Sequence, residues 1–314
     1  MTELKSIPPQ LPVNLWPHQK TALEICIEKF NLQQPRGLVQ MPTGTGKSRV
    51  IRLLAYYAMA KRVPVVIAAP TEEIITQFAD DLRRETRTPF YIDKAQLRRP
   101  ASCLLTLASQ ATLWRRLDSY PDGALLLFDE CHHVNQPASC NRKSLARFRL
   151  ALGFSASPWS SECVDLFGSS LFTYRLSKAI ADGFLCPYLI EPLPEQMPAP
   201  LPFELYFCPS NQHARQLAQQ TPRSAYLGHE TKDRASLLRR FRSSGLHRLY
   251  LNRCLIEGFD CPQVSRVFID KTSDSALHLY QIAGRGLRRK APGKLCHLTT
   301  RNPATLIAAL DRAA

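Results

Sequence analysis

The chain of 314 residues is long enough for two domains of ordinary size and too short for three. Hydrophobic residues at 45% and charged residues at 21% lie near the globular average, which excludes a disordered or fibrous chain. Lys and Arg total 41 against 26 Asp and Glu, and the resulting +15 favours polyanions such as nucleic acid, although a solvated basic surface without a specific partner fits charge alone equally well.

In chain order, residues 37–40 read as a short strand, 41–48 (MPTGTGKS) as a loop and 49–60 as a helix. Apolar runs at 63–69, 103–107, 124–128 and 150–155 read as buried parallel strands, each followed by a stretch of helical length. This alternation predicts a doubly wound α/β domain over residues 1–185. Residues 186–202 carry prolines 187, 192, 194, 198, 200 and 202, which remove backbone donors and forbid a long helix. The segment is expected to be a linker, with a rigid loop packed on one domain as the alternative. Strands at 203–208, 247–251 and 264–269, with helices at 212–219 and 232–242, predict a second, smaller α/β domain over 203–314.

No run approaches the ~18 apolar residues of a membrane span, and the first residues (MTELKSIPPQLP) lack a signal-peptide pattern, so a cytoplasmic protein is expected. The 10 cysteines include no Cys-x-x-Cys pair and read as reduced, packed thiols. Cys131, His132, His133 and Cys140 have poor spacing for zinc.

The first chemical signal is strand, then Gly-containing loop ending in Gly46-Lys47-Ser48, then helix, an arrangement that cradles phosphates. Thr43, Gly44, Thr45 and Gly46 present backbone N–H groups, with the two glycines free to turn inward. Lys47 offers a cation to the outer phosphates and Ser48 a hydroxyl to Mg²⁺. Met41 stands where the general pattern begins with glycine, so a chance loop is the alternative at this point.

The second signal is the apolar run 124–128 leading directly into Asp129-Glu130-Cys131-His132. Two carboxylates at the carboxyl end of a buried strand sit where α/β sheets place their ligands. Asp129 suits a water-mediated hold on Mg²⁺, and Glu130 suits orienting or deprotonating an attacking water. A capping Asp and a surface Glu are the alternative, which the upstream phosphate loop disfavours.

MPTGTGKS followed by FDECHH resembles the superfamily 2 helicases, in particular the DExH-box branch of restriction-enzyme motor subunits and repair helicases. That family often carries methionine or alanine at the position of Met41. The resemblance extends from about Leu15 to His297 and implies two tandem RecA-like, doubly wound parallel-sheet domains. Leu15-Trp-Pro-His-Gln19 resembles the adenine-contacting stretch, with Gln19 reading the base. Pro70 and Thr71 fall in a motif similar to one that grips the nucleic-acid backbone, and Thr106 with Ser109 where a second such contact is expected. Residues 152–158 (LGFSASP) resemble the motif coupling hydrolysis to movement, assigning coupling roles to His132, Ser155 and Ser157; Ser155 replaces the usual threonine and keeps its hydroxyl.

In the second half, LYFCPS with His213 and Ala214 is similar to the opening strand and helix of the second lobe. EGFDCP resembles a motif touching nucleotide and nucleic acid, implicating Gly258 and Asp260, and Asn252 stands where relatives have a phosphate-contacting threonine. QIAGRGLR is similar to the motif that supplies arginine fingers, implicating Gln281, Arg285 and Arg288 and leaving Arg289 and Lys290 as surface charge. A guanidinium at the transferred phosphoryl group is worth about 10³–10⁵ in rate.

The resemblance thus implies an ATP- and Mg²⁺-dependent motor that moves along or unwinds nucleic acid as its lobes close and open, with DNA favoured over RNA. A nucleotide-gated clamp on nucleic acid or a partner protein, and an RNA helicase, are the competing readings. The short chain is expected to act as a monomer and to leave targeting to a partner protein.

Overall fold

The computed structural model describes residues 14–94, 103–133, 144–252, 261–271, 275–289, 291 and 293–313. The backbone packs into two units, Met1–Tyr174 and Arg175–Ala314. Both are α/β with parallel sheets, consistent with tandem RecA-like domains.

The first unit runs through α1 (Pro17–Asn31), β1 (Arg36–Gln40), α2 (Lys47–Ala60), β2 (Val65–Ala69), α3 (Glu72–Glu85) and β3 (Phe90–Asp93). It continues with β4 (Leu105–Ser109), α4 (Gln110–Arg115), β5 (Leu125–Asp129), β6 (Leu150–Ser155), α5 (Ser161–Phe167) and β7 (Ser170–Thr173). The 7 strands form one sheet in the order β3-β4-β2-β5-β6-β1-β7. Strands β2, β5 and β6 are buried at every position, as expected of parallel strands covered on both faces.

Local chemistry sets the helices. Thr71 caps α3 by accepting the Ile74 N–H, Glu72 and Glu73 fill its first turn and Arg83 and Arg84 its last, all complementing the helix dipole. Ile74, Ile75, Phe78, Ala79 and Leu82 then recur on the buried face. Helix α2 buries Val50, Ile51 and Leu54, each worth about 1.5–3 kcal/mol of apolar transfer. Arg52 ties α2 to α3, donating to Asp81 at 2.8 Å and to both oxygens of Glu85 at 2.9 and 2.7 Å.

The second unit contains α6 (Leu176–Ala181), β8 (Tyr188–Pro192), β9 (Glu204–Phe207), α7 (Asn211–Gln220), β10 (Ser224–Tyr226) and α8 (Arg234–Arg242). There follow β11 (Arg248–Leu251), β12 (Arg266–Ile269), α9 (Ala276–Ala283), β13 (Cys296–Thr300) and α10 (Pro303–Asp311). Its 6 strands are ordered β10-β11-β9-β12-β13-β8.

The expected linker at 186–202 is corrected here. Tyr188–Pro192 is the edge strand β8, paired in parallel with β13 from Tyr188↔Cys296 to Pro192↔Thr300. Proline is tolerated at the end of an edge strand because no ladder bond is lost there. Pro198 O accepts from Arg248 at 3.1 Å and Pro200 O lies 3.1 Å from His247 Nδ1, so the proline segment packs on the second unit as a rigid loop. The division between units falls earlier, after Tyr174.

Beneath that loop, Arg248 and Glu204 form a buried pair on adjacent strands, with Nε–Oε2 at 2.8 Å and Nη2–Oε2 at 2.7 Å. The Arg248 guanidinium also lies over the Phe268 ring, 4.9 Å from its centroid. Among the described residues no helix is long and apolar enough to cross a membrane.

Candidate active site

Strand register assembles the site. β5, β6 and β1 are neighbours, with Asp129 opposite Phe154 and Gln40 opposite Ser155. The loop after β1, the acidic pair after β5 and Ser155 therefore share the carboxyl edge of one sheet, where open α/β sheets bind ligands.

The loop is shaped by its glycines. Gly44 has φ of 91° and Gly46 of 87°, the left-handed region that only glycine enters cheaply, and Gly46 is the N-cap of α2. Unsatisfied N–H groups of the first helical turn, with the positive end of its dipole, make this an anion cradle. Thr45 is fixed inside it, its Oγ1 donating to Pro42 O at 2.7 Å. Lys47, at the start of α2, donates to Met41 O at 3.3 Å and stands 3.4 Å from Glu130 Oε1. Thr43 and Ser48 are half-buried beside it.

The acidic pair follows as expected. Asp129 ends β5 and is buried; Glu130 is the next residue and has φ of 49°, a strained conformation costing on the order of 1–3 kcal/mol for a non-glycine residue. Glu130 Oε2 lies 3.4 Å from His132 Nδ1, which in turn lies 2.7 Å from Ser155 Oγ. Ser155 Oγ also accepts the Ser157 N–H at 2.9 Å. Lys47, Glu130, His132, Ser155 and Ser157 thus form one polar chain across three strand ends. The Ser48 hydroxyl and Asp129 carboxylate are hard oxygen donors, a set that fits Mg²⁺ with water and phosphate oxygens completing its shell. Between the acids and His132, Cys131 is fully buried with its Sγ 3.1 Å from that of Cys163, and burial pushes its thiol pKa up, which makes it unreactive.

Two supporting residues escaped sequence reasoning. His18 places Nε2 3.0 Å from Thr45 O and stacks its ring on Tyr174, centroids 4.2 Å apart. Gln110 donates from Nε2 to Asp129 O at 3.0 Å and Glu130 O at 3.4 Å. The signals were adjacent: His18 precedes Gln19, and Gln110 follows Ser109. Gln19 itself braces the loop, donating to Thr45 O at 2.9 Å and accepting from Trp16 N–H at 3.1 Å.

The remaining residues fall elsewhere. Pro70 and Thr71 lie at the carboxyl end of β2, with Thr71 capping α3. Thr106 lies within β4 and is 1% exposed. Ser109, half-buried at the carboxyl end of β4, is the member of that pair near the surface. In the second unit Asn252 follows β11 and is half-buried, Gln281 is buried on α9, and Arg285 is buried just beyond that helix. Arg288 is half-buried and pairs through its backbone with Leu185, while Arg289 is exposed. Gly258, Asp260, Cys140 and Lys290 lie outside the described residues. Among the described residues no group of three His, Cys, Asp or Glu side chains could hold a metal ion.

Residues 12–160 match the family model described as "Type III restriction enzyme, res subunit". No curated protein matches the sequence. Among solved structures, the fragment of a protein described as an HsdR subunit of a type I restriction enzyme from Vibrio vulnificus YJ016 has a TM-score of 0.73 at 19% identity, over 100% of this chain and 68% of that one. The ATP-dependent Type ISP restriction-modification enzyme LlaBIII, bound to DNA, gives 0.72 at 14% identity over 96% of this chain, which spans only 29% of that enzyme. Dbp5 of S. cerevisiae, bound to RNA and ADP BeF3, gives 0.64 at 16% identity, over 99% of this chain and 90% of that one. At these identities the structural likeness is one of fold.

Proposed function

We infer that this chain, a superfamily 2 helicase of the restriction-enzyme motor branch by its motifs and family match, is an ATP-driven nucleic-acid motor, with DNA as its track. The observation that carries the reading is the polar chain from Lys47 through Glu130 and His132 to Ser155, set beside the anion cradle of Gly44 and Gly46.

The triphosphate enters the loop, where the N–H groups from Thr43 to Ser48 receive its oxygens. Lys47 exchanges its Glu130 partner for a phosphate oxygen. Glu130, released, orients the attacking water and takes up its proton, a role for a carboxylate outside the metal's own shell. Ser48 and Asp129 would hold Mg²⁺, which would supply charge neutralisation at the phosphates. His132 and Ser155 relay the state of Glu130 to Ser157 and the segment beyond β6. Gln19 reads the base, and Gln281, Gly258 and Asp260 serve the nucleotide from the second unit, with Arg285 and Arg288 as the fingers on the phosphoryl group. Pro70, Thr71 and Asn252 hold the nucleic-acid backbone, a contact that carries little sequence information.

The test is phosphate release measured without polymer and with single-stranded DNA, duplex DNA and RNA at one salt concentration, since backbone binding depends strongly on salt. Hydrolysis stimulated most by DNA is the expected result. Preference for RNA overturns the choice of track. Nucleotide-dependent binding with no hydrolysis replaces the motor with a clamp.

A further inference from the structure

We propose that Gln110 is a positioning residue that fixes the backbone of Glu130 and ties it to the turn at Ser109; the inference rests on the ATPase reading of Glu130. The Gln110 side chain is buried, and one amide nitrogen reaches the carbonyls of both Asp129 and Glu130, at 3.0 and 3.4 Å. Those two carbonyls define the peptide planes on either side of the Glu130 Cα. Holding both sets φ and ψ of that residue together, and Glu130 is the one whose φ of 49° lies in a region that side-chain-bearing residues leave readily.

The other end of this link is also anchored. Gln110 is the first residue of α4, whose N-cap Ser109 accepts the Thr112 N–H at 3.1 Å and donates to Thr112 Oγ1 at 2.9 Å. Further along α4, Trp114 packs on Phe128 of β5, ring centroids 5.8 Å apart. Because β2 lies between β4 and β5, Gln110 spans the end of β2 where Pro70 and Thr71 sit. A shift of the Ser109 turn therefore reaches Glu130 through a single side chain, and with it the 3.4 Å contacts to Lys47 and His132. Nucleic acid pressing on this edge would retune the water-activating carboxylate without touching it.

Gln110→Ala removes the amide, and Gln110→Glu keeps the shape but places a carboxylate without a donor against two carbonyls. Both are compared with wild type for kcat with and without single-stranded DNA, KM for ATP, Kd for the DNA, and Tm. The expected result is a loss of DNA-stimulated kcat of about tenfold or more in both variants, the scale of a small displacement of a catalytic group. Stimulation by DNA shrinks in parallel, while KM and Kd stay near wild type and Tm falls by the few degrees that lost buried hydrogen bonds cost, leaving both variants folded at the assay temperature. A kcat within about twofold of wild type overturns the inference, on the yardstick that misplacement is costly. A kcat loss matched by lost ATP affinity or lost DNA affinity, or variants already unfolding at the assay temperature, also overturns it, in favour of a merely structural role. Absence of hydrolysis in the wild type itself removes the ATPase reading first, and this inference with it.

Discussion

Gly46→Ala tests the phosphate cradle at its tightest point. Gly46 has φ of 87°, and a Cβ built there would lie 2.2 Å from Gln19 Nε2. The left-handed backbone costs an alanine roughly 1–2 kcal/mol. Gln19 is flexible and can swing aside, but it then gives up its 2.9 Å bond to Thr45 O, a further ~1 kcal/mol. If the combined ~2–3 kcal/mol falls on the binding-competent loop, nucleotide affinity drops about 30- to 140-fold, at 1.4 kcal/mol per tenfold. Calorimetry or anisotropy with a fluorescent ATP analogue measures the drop. In a Gln19→Ala background the added alanine should cost less, because the displaced partner is already gone, and the difference isolates the Gln19 share. Affinity in Gly46→Ala within about twofold of wild type, with unchanged Tm, refutes the reasoning, since it leaves no room for either term.

Other outcomes follow from named contacts. Glu204→Gln leaves the Arg248 guanidinium buried without its countercharge and should destabilise the second unit by about 3–5 kcal/mol, read as an earlier urea transition; Glu204→Leu combined with Arg248→Met should recover much of the loss. Ser155→Ala withdraws the oxygen shared by His132 and the Ser157 N–H, and should lower kcat while ATP affinity stays within a few-fold, whereas Ser155→Thr keeps the hydroxyl and should retain activity. The Glu230 carboxyl is held down to about 2, first by the Tyr226 hydroxyl and also by Arg215. Because its folded pKa lies below the unfolded value of ~4.3, its contribution is present above that pH and fades as pH falls towards 2. Stability curves of wild type and Glu230→Gln should accordingly differ at neutral pH and converge in acid.

The site was legible where its chemistry is consecutive. MPTGTGKS and FDECHH each name a strand end, and the parallel register of β1, β6 and β5 brings those ends to one edge. Strands β2, β5 and β6 were legible because burial on both faces leaves unbroken apolar runs. The proline-rich segment misled because proline was read as a linker signal, although β8 is an edge strand where proline is tolerated. The strands β3 and β7, at sheet edges and largely half-exposed, are four residues each, too short for their few apolar residues to stand out as a buried run. Gln110 and His18 act through backbone carbonyls far away in sequence, and no local pattern marks such a contact.

Glu130→Gln in single-turnover phosphate release, paired with ATP binding, tests the central claim most directly. The amide keeps the shape beside Lys47 and His132 but cannot accept the water's proton. ATP should still bind with near wild-type affinity while phosphate release collapses, with or without DNA. Undiminished release by that variant would contradict the assignment of Glu130 and the hydrolytic motor built on it.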